Sequence, residues 1–204
     1  MYTVRKKKLG QSKVLDKICR VCGHVWSETA RRHWQVWRKQ GVWMSEYAMM
    51  PWVSSATITS KPEHADLQWS AGRKPSVADV EIPFREDTLS LSDAPSMCRQ
   101  STVASFYDAL KTWKAARGNG GMPEGFRPPY KQKQFYKAQW NYTGIRVEDG
   151  RLRLSNGRDP IWIDWPHEAV PVAIEIGWGG SEYEMRAFPF PVNTACKKCF
   201  LAVL

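Results

Sequence analysis

Hydrophobic and polar positions along this chain change period several times, and each change marks an element. From residue 13 to about 39 the period is helical. At about 100° per residue, Leu15, Ile18, Cys19, Cys22, Val25, Trp26, Ala30 and Trp37 form one stripe. Lys17, Arg20, His24, Arg31, Arg38 and Lys39 fall on the opposite face. Gly23 lies inside this helix, where glycine costs about 1 kcal/mol relative to alanine, and Gly41 is placed to cap its C-terminus. A second helical piece is expected over residues 45–53. A third is expected over residues 98–117, where Val103, Phe106, Tyr107, Leu110 and Trp113 share one face.

Strand spacing replaces helical spacing elsewhere. Residues 2–9 read as a short strand ending in the basic run Lys6, Lys7 and Lys8. Residues 130–165 alternate apolar and basic side chains, broken by Asp149-Gly150 and Asn156-Gly157, dipeptides that tolerate the positive φ of hairpin turns. Alternation sends Ile145, Val147, Leu152 and Leu154 to a core and Arg146, Arg151 and Arg153 to the other side. Two further strands are expected over 170–178 and 182–188, joined at Gly179-Gly180. Residues 54–95 are rich in Ser, Thr, Pro and Asp and read as a long loop with one short strand near 80–84.

Composition adds a partner class. The 204 residues carry a formal charge of +10 and are 43% hydrophobic, enough for a packed core with a surplus of surface cations. That balance favours a polyanion. No apolar run approaches the roughly 18 residues that span a bilayer, so no membrane partner is expected. The basic N-terminus has no apolar h-region. Five cysteines, four of them in two CxxC pairs, suit a reducing cytoplasm better than a disulfide scaffold.

Candidate chemistry is weighed against packing. Cys19/Cys22 and Cys196/Cys199 could together supply four thiolates to zinc. Yet Cys19 and Cys22 fit the apolar stripe, where cysteine acts as a small hydrophobe, which leaves Cys196 and Cys199 as the zinc candidates. His24, His33, His64 and His167 have no spacing that suits a metal or a nucleophile. Asp149, Asp159, Asp164, Glu175 and Glu184 could be imagined as a two-metal nuclease set; strand alternation accounts for Glu175 more simply, as the outward residue between Ile174 and Ile176. Most of the eleven tryptophans read as packing, while Trp140, between Lys137 and Arg146, is a candidate to stack on a base. The candidate phosphate-binding cations are Lys6, Lys7, Lys8, Lys17, Arg20, Arg31, Arg38, Lys39, Lys131, Lys133, Lys137, Arg146, Arg151, Arg153 and Arg158.

The order of these segments carries a resemblance. A basic strand, an amphipathic helix ending in RKQGVW, and a helix TVASFYDALKTWKAAR come first. PPYKQKQFYKAQW, GIRVEDGRLRLSNGR, PIWIDWPHE and AIEIGWGGSEYEMRA follow. Together they resemble the N-terminal half of TnpB proteins, RNA-guided DNA nucleases of insertion sequences that are related to type V CRISPR effectors. The resemblance implies an α+β fold: an antiparallel, wedge-like β-barrel with an inserted helical recognition bundle. Its first strand would be 1–12, the insert 13–121, the remaining barrel 122–190, and a tail 191–204. It implies contacts to a structured guide-type RNA and to double-stranded DNA, near the nucleoid. In that family a RuvC-like nuclease domain with three acidic residues follows; VNTACKKCFLAVL does not match its opening strand, so no catalytic residue is carried over. The expectation is a nucleic-acid-binding chain without its own nuclease domain, acting with a separate nuclease subunit. The alternative is a zinc-bridged partner or regulator of a full-length nuclease or transposition system.

Overall fold

Among the described residues the chain threads one edge strand, then three helices, then six more strands. A computed structural model describes residues 4–54, 89–118, 127–167 and 169–188. The expected strand near 80–84, His64 and the pair Cys196/Cys199 fall outside those residues. In chain order the elements are β1 (Arg5–Gly10), α1 (Lys13–Gln40), α2 (Met50–Ser54), α3 (Ser96–Gly118), β2 (Ala138–Asn141), β3 (Ile145–Glu148), β4 (Arg151–Leu154), β5 (Ile161–Asp164), β6 (Ala173–Trp178) and β7 (Tyr183–Phe188). The segment expected as one helix over 45–53 is a 3-10 turn, Glu46–Ala48, followed by α2.

Local signals set the ends of α1. The Ser12 hydroxyl accepts from the Leu15 amide at 3.3 Å, and Asp16 sits in the first turn. Gly41, at φ 66°, closes the other end by donating to the Trp37 carbonyl at 2.8 Å. The hairpin β3–β4 turns on Asp149 (φ 49°) and Gly150 (φ 70°), the two positive-φ positions that a type I′ turn demands. β6 and β7 close through Gly179, whose amide donates to the Glu182 carbonyl at 2.8 Å.

The strands make two antiparallel sheets, β1-β7-β6-β2 and β3-β4-β5. α1 to α3 are therefore inserted between edge strand β1 and the rest of its own sheet. The expected closed barrel is not formed among the described residues, because no ladder joins the sheets. β2 stops at Asn141, which caps a 3-10 turn over Tyr142–Gly144 before β3 begins. On the other side β5 meets β1 through side chains: Lys7 Nζ donates to the Asp164 carbonyl at 2.7 Å, and the Arg5 guanidinium lies 5.9 Å from the Trp165 ring centre.

The inner faces of the sheets share one core. Trp140 pairs with Ile174 and Ala138 with Ile176, and Ile176 pairs with Met185; all five are buried. From the second sheet Ile145, Leu152, Leu154 and Ile163 join the same cluster. At Gly144 a Cβ would lie 2.9 Å from the Ser155 hydroxyl and closer still to the end of the Met97 side chain, so a larger residue there would require those two side chains to shift. α3 packs on β2 and on α1, and Cys22, Cys98 and Phe106 fill the space between them.

Residues 129–137 differ from the strand reading. They are extended but pair with a helix, running antiparallel along α1 as a strap. The Tyr136 amide donates to the Cys19 carbonyl at 3.0 Å. Ser27 Oγ accepts from the Lys133 amide at 2.8 Å, Trp26 Nε1 donates to the Lys131 carbonyl at 3.2 Å, and Trp34 Nε1 to the Pro129 carbonyl at 3.2 Å. Gly23 is the crossing point: a Cβ there would lie 2.6 Å from the Gln134 carbonyl carbon and 2.8 Å from the Phe135 nitrogen. The glycine that weakens the helix is what lets the strap reach it.

With the strap on one side and α3 on another, the middle of α1 is buried nearly all round. Glu28, Thr29, Arg32 and His33 are buried along with Ala30. The two-faced expectation fails there, and it fails oppositely at Trp37, which is 42% exposed.

Candidate nucleic-acid interface

Two surfaces gather cations and aromatic rings. The first is the outer face of the β3-β4-β5 sheet. Register places Arg146 opposite Arg153 and Arg153 opposite Trp162. The next row is Glu148, Arg151 and Asp164, in which Arg151 Nε lies 3.6 Å from an Asp164 carboxylate oxygen. That row sets two carboxylates against one guanidinium, and its neighbour carries two guanidinium groups with no acid in the row. Like charges placed directly opposite each other on a sheet destabilise it. Trp162 is 41% exposed beside them, with the Arg151 guanidinium 5.7 Å from its ring centre.

The second surface is a groove of about 510 Å³ on the outer face of the β1-β7-β6-β2 sheet, walled by the strap. Its floor is built by alternation: Glu175 and Gly177 from β6, Glu184 and Arg186 from β7. Lys133, Phe135, Tyr136 and Lys137 come from the strap, and Trp178 from the end of β6. Glu175 accepts from Lys137 Nζ and Gln139 Nε2, so Lys137 is committed to an ion pair. Lys133 Nζ sits 3.7 Å from the Trp26 ring centre and 4.2 Å from that of Tyr136. Burial, then the nearby charges of Lys137 and Lys131, hold its ammonium below the ordinary lysine value. Arg186 forms no ion pair among the described residues; its cross-strand neighbours are Lys6 and Glu175.

The sequence-derived candidates sort by what already holds them. Lys6, Lys17, Arg38, Lys39, Lys131, Arg146 and Arg158 are exposed. Lys8 is exposed too but paired with Glu182 at 2.7 Å, and Arg20 pairs with Asp16 at 2.9 Å while lying over Phe135. Lys7 donates to the Asp164 carbonyl. Two candidates are corrected. Arg31 is not a surface cation: it makes a two-pronged bond to Glu28, at 2.8 and 2.7 Å, with side-chain exposures of 12% and 3%. Trp140 is not a stacking platform: it is 0% exposed and donates Nε1–H to the Ser155 carbonyl at 2.9 Å. Arg186, Trp178 and Phe135 were missed, because they meet only when strands and strap far apart in sequence come together. The one signal was Gly177, a glycine at an outward strand position.

Burial governs the ionisable groups of the described core. Cys19, Cys22 and Cys98 are buried free thiols, the first two pushed up by burial to about 11 and about 12 and the third well above its ordinary value. This matches the packing role expected of Cys19 and Cys22. His33 is buried against Trp34, Trp43, Phe106 and Tyr107, and burial lowers it to about 4. Among the described residues no three His, Cys, Asp or Glu side chains group as metal ligands, and no helix is long and apolar enough to cross a membrane. No protein-family model matches the chain, and no curated protein matches it.

Proposed function

We propose that this chain binds nucleic acid, in the manner of the recognition half of a TnpB-like RNA-guided system, holding a structured RNA and the DNA beside it. The carrying observation is the row Arg146–Arg153–Trp162. Two arginines are held against each other on a short, tightly turned hairpin, with an exposed indole next in line and no acid in the row. The arrangement works against the isolated sheet and becomes favourable when phosphates neutralise it. Arginine and tryptophan side by side suit a phosphate backbone and the π-face of a base or ribose.

Further support comes from the order of elements. Helices inserted after the first strand, with antiparallel strands closing around a shared core, follow the order that the resemblance implies. In this reading the two sheets correspond to the two sides of a wedge-like barrel. Sequence discrimination would come from base pairing within the bound RNA and DNA, with the protein holding backbone and shape.

The test is binding of a structured RNA and of a DNA duplex to the purified chain across a salt series. Affinity should fall steeply with salt, because each neutralised phosphate releases counterions. Arg146→Glu and Arg153→Glu should each weaken binding and flatten the salt slope by about one contact or more. Absence of affinity for both at low salt refutes the proposal.

A further inference from the structure

The groove against the strap has features that a merely solvated basic surface does not need. Gly177 lies within β6, where a glycine forgoes side-chain packing and weakens the strand. Its backbone does not ask for glycine, since it is not among the positive-φ glycines. Neither does crowding: a Cβ there would meet its nearest neighbour, Lys137 Cβ, at 3.4 Å, close to ordinary contact. This distinguishes it from Gly23, which the strap's backbone excludes from any larger residue. What Gly177 does is leave the middle of the groove floor bare. Glycine within a strand marks a bulge, a bend, or a close approach by a ligand or another backbone; the β6–β7 register runs through Gly177 without a shift, and the nearest backbone atom to a Cβ there is Lys137 Cα at 3.8 Å, an ordinary contact.

The walls define the ligand. Trp178 is 48% exposed at one end and Phe135 is 38% exposed on the strap. Arg186 offers a guanidinium with no ion-pair partner among the described residues. Lys133 is half-buried in the same groove, its charge crowded by Lys137 and Lys131. Glu184 adds a carboxylate that accepts base amino or imino N–H groups and is not hydrogen-bonded among the described residues. The second floor carboxylate, Glu175, is already taken by Lys137 and Gln139. Flat rings, phosphate-seeking cations and one uncommitted acceptor at the floor match a nucleotide: base, sugar and phosphate. A volume of about 510 Å³ is of the size that takes one small molecule, not a helix.

We infer that this groove holds a single unstacked nucleotide of a single-stranded stretch of polynucleotide, with the base over Gly177 against the exposed aromatic rings and the phosphate at Arg186. A strand is favoured over a free nucleotide because cations continue past the groove in both directions. Lys6 neighbours Arg186 on β1, and the exposed Lys131 precedes Lys133 along the strap. The inference rests on the nucleic-acid reading for the source of the nucleotide, and on the groove alone for its chemistry.

The experiment measures fluorescence anisotropy of a labelled ten-nucleotide single-stranded RNA and of a fully paired duplex with the whole chain at low salt. Gly177→Val keeps strand propensity while filling the floor, and Trp178→Ala removes a half-exposed ring that also packs edge-on on the buried Tyr183, so urea unfolding checks that this variant keeps its fold. Each should weaken single-strand binding about tenfold or more, one stacked base being worth roughly five- to a hundredfold. Each should leave duplex binding unchanged. Arg146→Glu, on the other sheet, should weaken both. If the wild type binds neither RNA, the nucleic-acid reading falls. If it binds and both groove variants bind the single strand like the wild type, the groove inference alone is overturned. Guanosine monophosphate at millimolar concentration should compete weakly; competition as strong as that of the ten-mer overturns the strand and assigns the groove to a free nucleotide.

Discussion

Replacing His33 with leucine should remove much of the acid sensitivity of the fold. Both ring nitrogens of His33 are buried without a hydrogen bond among the described residues, edge-on to Trp34 and Trp43 and flanked by Phe106 and Tyr107. Burial alone lowers its pKa from 6.5 to about 4. The unfolded chain therefore takes up a proton that the fold refuses, so stability is full above about pH 6.5, declines as pH falls, and stops declining below about pH 4. The whole difference is worth about 3 kcal/mol, and between pH 7 and pH 5 about 2 kcal/mol is lost. The assay is urea unfolding followed by tryptophan fluorescence at pH 7, 6 and 5 for wild type and His33→Leu. Other titrating groups act in both proteins, so the readout is the difference between their pH slopes. The variant should lose about 2 kcal/mol less than wild type on going from pH 7 to pH 5. At pH 7 it should be little destabilised, because no hydrogen bond is broken and two unsatisfied polar atoms leave the core. Equal pH slopes in the two proteins refute the reasoning.

Gly23→Ala should destabilise the fold by about 1–3 kcal/mol despite the better helix former, because the added carbon collides with the strap's backbone; chemical denaturation reads this, and a stabilised variant would show that the strap is not seated there. In a Cys196→Ser/Cys199→Ser background, Cys19, Cys22 and Cys98 should resist a thiol reagent at pH 8 in the native state and react fully in denaturant, given thiols that are buried and pushed up. Trp140→Phe should lower stability by about 1–3 kcal/mol through the stranded Ser155 carbonyl and lost volume, yet leave RNA affinity unchanged, since the indole is sealed in the core.

Legibility followed the range of the interaction. The helix α1, its serine cap, its glycine stop and the Asp-Gly hairpin are fixed by neighbours within a few residues, and the sequence displays them directly. The strap is different. Its alternation says extended, and extended chain can pair with a sheet edge or lie along a helix; the partner, Cys19 to Trp34, sits about a hundred residues upstream. Glycine at 23 was visible as a defect in a helix, and only the strap gives it a reason. The same distance effect hid the burial of Glu28 and His33, since helical period reports one apolar face and not a second element covering the other. The groove was illegible as a site because its two walls come from β6–β7 and from the strap.

The cations show what formal charge leaves out. Arg31, Arg20, Lys8, Lys137 and Arg151 each stand beside an acid, at a helical spacing of three or four, across a hairpin, or across the sheet. Each is partly offset by that neighbour, weakly where the pair is exposed and most fully for Arg31, whose pair is nearly buried. Arg146, Arg153, Arg186, Lys6 and Lys131 have no acidic partner among the described residues, and they fall on the outer faces of the two sheets and on the strap between them. A polyanion senses that uneven remainder, not the sum. The salt dependence of binding should therefore count contacts from this smaller set, and a charge-reversal scan should find its largest losses at Arg146, Arg153 and Arg186, with Arg31→Gln changing stability and leaving the salt slope alone.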